Sequence, residues 1–226
     1  MSDNSDDDLQ SSELGTREFW EDTYALEIGN FQDHGDVGEV WFGEDSSLRV
    51  TRWLSSCDDV LKDDAIIDLG CGNGMQLIEL NREGFTNLTG VDYSKTAIDL
   101  AKAVADAQQN STIKYEVCDI LAEDSENVST LLLSCYAVAL DKGTYDAISL
   151  HPENAKEKRA KYVDRVGRLL KQQGLLVITS CNWTEVEIIS HFCSKFERFH
   201  IIPTPTFQFG GKTGSLITSI VLRKKL

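Results

Sequence analysis

The sequence predicts an α/β domain on a mostly parallel seven-stranded sheet, with helices on both faces and an antiparallel hairpin at its C-terminal end. Three observations predict it. From Ala65 onward, short apolar runs rich in β-branched residues alternate with helix-period stretches. The first of these runs ends in a glycine-rich turn, Asp68-Leu69-Gly70-Cys71-Gly72-Asn73-Gly74. The final stretch loses the helical pattern and keeps two strand-like runs joined by prolines and glycines.

Taken in order, residues 1–14 hold Ser, Asp and Asn with almost nothing apolar, so they are expected to form a disordered acidic tail. Residues 15–64 mix Phe19, Trp20, Tyr24, Phe31, Trp41, Phe42 and Trp53 with many acids, which predicts a helical, loop-rich leading segment. The core sheet is expected over residues 65–226. Strands are predicted at Ala65–Leu69, Leu88–Val91, Ile113–Val117, Tyr136–Leu140 and Leu175–Thr179, alternating with helices as right-handed crossovers require. Ser94 is a predicted N-cap for the helix that carries Ala97, Ile98 and Ala101. From Ala155 to Leu170 the positions Tyr162, Val163, Val166, Leu169 and Leu170 line one helical stripe. Thr184 with Glu187 three residues on is a capping box. The closing runs, Phe199–Ile202 and Leu216–Leu222, are joined through Pro203, Pro205, Gly210, Gly211 and Gly214, which favours an antiparallel hairpin at the edge or interior of the sheet.

Composition excludes several classes. At 41% hydrophobic and 26% charged residues the chain resembles ordinary globular proteins. Its net charge of −15 repels polyphosphate and anionic lipid, arguing against nucleic-acid or membrane surfaces as partners. The charge is unevenly spread: residues 1–64 hold 18 acids and 4 bases, whereas residues 65–226 hold 19 and 18. The six cysteines show no C-x-x-C spacing, and the four histidines no metal-ligand rhythm, so free thiols and no metal are expected. An acidic N-terminus and the lack of a long apolar run suggest a cytoplasmic or nuclear protein. Four Asn-x-Ser/Thr triplets, at Asn87, Asn110, Asn127 and Asn182, read as chance matches in such a compartment.

The glycine turn carries the first chemical signal. Gly70, Gly72 and Gly74 form G-x-G-x-G, and the third glycine of a dinucleotide fingerprint would fall at Met75 instead. Glycine there admits a ligand to the backbone and permits positive φ. The helix beyond favours an anionic group, a carboxylate more readily than a pyrophosphate. The second strand ends Gly90-Val91-Asp92-Tyr93-Ser94, where a carboxylate can accept bonds from both ribose hydroxyls, or alternatively cap a helix. The third ends Val117-Cys118-Asp119-Ile120, an acceptor beside an apolar neighbour suited to an adenine ring. Three such sites at successive strand ends match the edge where open α/β sheets bind ligands.

With these motifs in view, the chain resembles the seven-strand, S-adenosylmethionine-dependent methyltransferases in "IIDLGCGNG", "GVDYS", "VCDI" and the terminal hairpin. The resemblance implies a Rossmann-like sheet with S-adenosylmethionine as cofactor. Asp68 with Gly70, Gly72 and Gly74 would hold the methionine moiety, Asp92 with Tyr93 the ribose side, and Asp119 with Ile120 the adenine. The fourth strand runs into Asp141-Lys142-Gly143-Thr144-Tyr145 without the paired prolines usual in enzymes that methylate base or glutamine amides. Instead "DKGTYDAISL", "LGTREFWEDTY", "GDVGEVWFGE" and "ITSCNWT" look like protein-lysine methyltransferases acting on translation elongation factor 1-alpha, in particular the family named elongation factor 1-alpha lysine methyltransferase 2. Residues 15–226 would then be one methyltransferase domain and elongation factor 1-alpha its protein partner. As a basic substrate, that factor would be steered by the acidic leading third.

Asp141 is the expected catalytic residue, orienting the amine or taking its proton through water. The alternative is that it ties down the turn after its strand. Trp20, Tyr24, Trp41 and Phe42 either close over the cofactor as a lid or anchor the leading segment. Cys71 reads as an inert thiol rather than a regulatory one. A methyltransferase for another protein or a small metabolite remains open on these residues, as does a cofactor-binding scaffold without turnover; a nicotinamide-dependent oxidoreductase is the more distant alternative.

Overall fold

The computed structural model describes residues 9–122, 131, 135–209 and 212–226. Most of the expected tail, residues 1–8, lies outside that set, as do the triplet at Asn127 and the glycines Gly210 and Gly211. The chain opens on a 3-10 turn at Glu13–Gly15, then α1 (Arg17–His34) and α2 (Glu44–Ser56). Next come β1 (Ile66–Leu69), α3 (Met75–Arg82), β2 (Leu88–Asp92), α4 (Lys95–Ala107), β3 (Lys114–Val117), β4 (Tyr136–Lys142) and α5 (Thr144–Ser149). The remainder is α6 (Ala155–Leu169), β5 (Leu170–Ser180), α7 (Glu185–Phe192), β6 (Phe196–Ile202), β7 (Thr206–Phe209), β8 (Lys212–Ser215) and β9 (Thr218–Lys224).

Seven strands form the main sheet in the order β3-β2-β1-β4-β5-β9-β6. β1 pairs in parallel with both β2 and β4, and the outer pairs β2–β3 and β4–β5 are parallel too. β9 runs antiparallel between β5 and β6, so the terminal hairpin has one strand inside the sheet and one at its edge. The connection between these strands is not a bare loop, since β7 and β8 pair antiparallel within it. β5 starts five residues before the predicted Leu175, because Leu170 still pairs with Tyr136 across a register shift, with Gln173 at φ 62° in the irregular stretch.

Side-chain alternation divides the core in two. Ile66, Leu88, Val138 and Leu140 pack on one face with residues of α2, α3 and α4. Ile67, Leu69, Val91 and Ala139 pack on the other with residues of α5, α6 and α7. Both faces of the parallel strands are therefore covered, which is why these strands read as continuous apolar runs. The predicted caps form: Ser94 Oγ accepts from Ala97 N, and Thr184 and Glu187 make a reciprocal capping box. One expectation is corrected. Residues 9–14 are not a tail, for Leu9 packs against the second core face, Ser12 N donates to Leu150 O at 3.1 Å, and Trp20 Nε1 donates to Leu14 O at 2.7 Å. One apolar contact at Leu9 and two hydrogen bonds to the backbone dock this polar stretch on the domain.

Candidate active site

The strand order reverses between β1 and β4, which opens a crevice at their carboxyl ends. Period-two geometry decides which side chains face it. The register sets Asp68 beside Gly90 and Leu140, and Gly90 beside Tyr115, so these share one face. Two residues further along their strands, Asp92 and Lys142 point the same way. Asp141, one residue off, points to the opposite face beside Leu69.

The loop after β1 turns through three left-handed glycines, Gly70 at φ 71°, Gly72 at 52° and Gly74 at 76°. Each also faces a protein atom. A Cβ at Gly70 would lie 2.1 Å from Thr144 Oγ1, at Gly72 2.5 Å from the Tyr24 hydroxyl, and at Gly74 2.5 Å from the Tyr115 hydroxyl. The glycines thus serve packing as well as conformation. Asn73, between them, is 7% exposed and donates from Nδ2 to both Val37 O and Glu39 O at 3.1 Å. Its Oδ1 accepts from Met75 N at 3.3 Å.

Asp92 is buried at the end of β2, where it accepts from Gly72 N at 3.1 Å and Ser94 N at 2.9 Å. Burial pushes its pKa up to about 6, partly offset by those two N–H donors. Asp68 is also buried, and desolvation raises it to about 7 against the pull of Lys142. Burial lowers the Lys142 ammonium, while Asp68 and Asp141 hold it up; its Nζ donates to Trp41 O at 3.2 Å. Tyr93 is half-buried under the Arg17 guanidinium, 5.2 Å from its ring centroid, and Arg17 also donates to Tyr93 O at 2.8 Å. At the end of β3, Asp119 accepts from Leu121 N at 2.8 Å and Ile120 is buried on the second core face. The structure therefore gathers Asp68, the glycine turn, Asp92, Tyr93, Asp119 and Ile120 along one sheet edge.

Asp141 ends β4 at the same edge but on the opposite face from Asp68, and its bonds favour the turn-tying alternative over the expected catalytic role. Asp141 is 2% exposed, and its carboxyl accepts from Thr144 N at 3.0 Å, from Tyr145 N at 3.1 Å and from the Tyr162 hydroxyl. It closes the first turn of α5, the turn-tying alternative, because the neighbouring residue on β4 takes the crevice side. The aromatics divide likewise. Trp20 stacks on Tyr24 at 6.0 Å and meets Trp41 edge-on at 5.0 Å, anchoring the leading segment to the glycine turn. Phe42 instead lies against Gly143 at the mouth of β4. Burial beside Asp92 and Asp68 pushes the Cys71 thiol well up, in keeping with an inert group. Lys142 and Asn73 were not legible as site residues: β4 is apolar on both sides, so its parity is hidden, and the carbonyls that Asn73 binds lie more than thirty residues away.

A family described as "Methyltransferase domain" matches residues 61–221. "EEF1A lysine methyltransferase 2" of Mus musculus is 45% identical over 219 residues, covering 97% of this chain and 87% of its own. "Protein-lysine N-methyltransferase EFM4" of Saccharomyces cerevisiae is 34% identical, covering 96% and 97%. Among solved structures, magnesium protoporphyrin IX methyltransferase from Synechocystis, with bound SAM, superposes with a TM-score of 0.60 at 15% identity, covering 90% of this chain and 97% of its own.

Proposed function

The chain belongs to the methyltransferase-domain family and, within it, to the relatives of EEF1A lysine methyltransferase 2; from that premise we propose that it transfers methyl groups from S-adenosylmethionine to a lysine side chain of translation elongation factor 1-alpha. The observation that supports this best is the joining, at one sheet edge, of the glycine turn and buried Asp92 to the "GDVGEVWFGE" segment through Asn73.

The residues fit the cofactor. An ionised carboxylate offers about four acceptor sites. Gly72 N and Ser94 N occupy two on Asp92, which leaves acceptors for a ribose diol. In this reading Asp68 and the Gly70, Gly72, Gly74 turn hold the methionine moiety, Tyr93 flanks the ribose side, and Asp119 with Ile120 takes the adenine. When bound, S-adenosylmethionine supplies a methyl group on a cationic sulfur, open to displacement by an amine. The protein's own task is to present that amine neutral and aligned. A lysine with a reference pKa of about 10.4 is almost wholly protonated in water, and an apolar aromatic wall lowers that value by desolvation. Alignment contributes on the order of 7–11 kcal/mol in favourable cases. Asp141 binds backbone amides and Tyr162 instead of the amine, so this reading has solvent at the crevice mouth take the amine's proton.

The test is incubation of the protein with isotopically labelled S-adenosylmethionine and purified elongation factor 1-alpha, read by mass spectrometry. Methyl-lysine in the factor supports the proposal. An unlabelled factor would overturn it: with cell lysate added, label confined to small molecules then favours a metabolite enzyme, and cofactor binding without any labelled product favours a scaffold. The same reading carries a cytoplasmic location, which suits six unpaired cysteines. Cell fractionation that finds the protein only in an oxidising compartment would exclude it.

A further inference from the structure

Residues 35–43 form a strap between α1 and α2 whose path is unusual. Gly35, Gly38 and Gly43 sit at φ 72°, 82° and 77°, and Phe42, which is not glycine, sits at 65°. A non-glycine residue in that region is strained and persists where its surroundings over-determine it. Here they do. Asn73 holds Val37 O and Glu39 O, and Glu27 Oε1 accepts from Glu39 N at 3.0 Å. Lys142 holds Trp41 O, and Ser46 Oγ donates to Phe42 O at 2.7 Å. These bonds leave the Phe42 ring half-buried against Gly143, where a Cβ would lie 3.2 Å from its edge. The next residue, Thr144, donates to Leu69 O at 2.6 Å and fills the space beside Gly70. One ring therefore stands beside the meeting point of the β4 turn and the glycine turn, held there by a latched, strained backbone.

We propose that Phe42 is a specificity-determining residue for the lysine acceptor, forming the apolar wall along which the methylene stem of the substrate side chain reaches the methyl donor. This rests on the lysine methyltransferase reading above and deepens it. Phe42 is separate from the anchoring group, in which Trp20 contacts both Tyr24 and Trp41. An aromatic face suits both the apolar stem and the cationic head of an arriving lysine. The strap bonds make Asn73 and Lys142 positioning residues, acting through the place they give the ring.

The experiment compares wild type with Phe42→Ala and Phe42→Tyr, full-length, against purified elongation factor 1-alpha. Three quantities are read: kcat and KM for the protein substrate, the Kd for S-adenosylmethionine by calorimetry, and the melting temperature. Phe42→Ala is expected to lower kcat/KM for the factor by about tenfold or more, with cofactor affinity and melting temperature held and Phe42→Tyr close to wild type. An unchanged kcat/KM in Phe42→Ala, beside an active wild type, would overturn the role of Phe42 alone. Parallel losses of cofactor affinity and melting temperature would reduce the ring to a structural support. A wild type that methylates nothing in the factor sinks the underlying reading instead.

Discussion

Asp141 and Lys142 are adjacent on β4 and face opposite sides of the sheet, and that parity separates a carboxyl bound to turn amides from a half-buried ammonium at the crevice. Replacing Asp141 with Ala strands the Thr144 and Tyr145 amides and the Tyr162 hydroxyl without an acceptor in a buried setting. The expected cost is about 3 kcal/mol, read as a lower denaturation midpoint at unchanged slope. Asp141→Asn keeps one acceptor oxygen and should lose less. Methyl transfer should fall only as far as the folded fraction does, so a fully stable but inactive Asp141→Ala would restore the catalytic assignment. The buried carboxyls also set a pH dependence. Asp92 is raised to about 6 and Asp68 and Asp141 to about 7, each above an unfolded value near 4. The folded state therefore binds more protons, and the stability these groups contribute is fully present below about pH 4 and lost as pH rises through 6 and 7. Cofactor binding should run the other way, because an ionised Asp92 is the better acceptor. Calorimetry from pH 5 to 8 should show affinity climbing through about 6; a weaker and flatter profile is expected for Asp92→Asn, and an unaltered slope there would remove Asp92 from the ribose site.

At the scale of elements, helix caps follow from local sequence while strand limits follow from partners. The α7 capping box is complete: Thr184 N and Oγ1 both donate to the Glu187 carboxylate, and Glu187 N donates back to Thr184 Oγ1. Thr184→Ala should cost about 1 kcal/mol, a fall of about 2–4 °C in melting temperature for a protein of this size. No change in a calorimetric scan would mean that packing of Ile188 and Phe192 alone holds the helix. β5, by contrast, gains its first residues only because Tyr136 is there to pair with Leu170. The C-terminal connection behaves in the same way, with β7 and β8 existing as each other's partners.

For the whole molecule, the charge asymmetry becomes a surface. Glu13, Glu18 and Asp22 line a groove of about 440 Å³ on α1 and the turn before it, together with Thr16, Phe19, Thr23 and Leu26. Three acids beside Phe19 and Leu26 on the leading segment suit steering of a basic protein substrate. Glu18→Gln with Asp22→Asn should slow association at low ionic strength, with the difference closing as salt is raised past the Debye regime. Equal association rates at low salt would detach these acids from substrate capture. The sequence alone carried the α/β alternation, both helix caps, the three strand-end positions proposed for the cofactor and the family resemblance, because each rests on residues a few positions apart or on a motif with fixed spacing. Tertiary structure alone assigned Asp141 to the far face, latched residues 35–43 through Asn73 and Lys142, and set Phe42 against Gly143. Those arrangements join residues up to 101 positions apart on strands apolar on both sides, where neither spacing nor polarity reveals which way a side chain points.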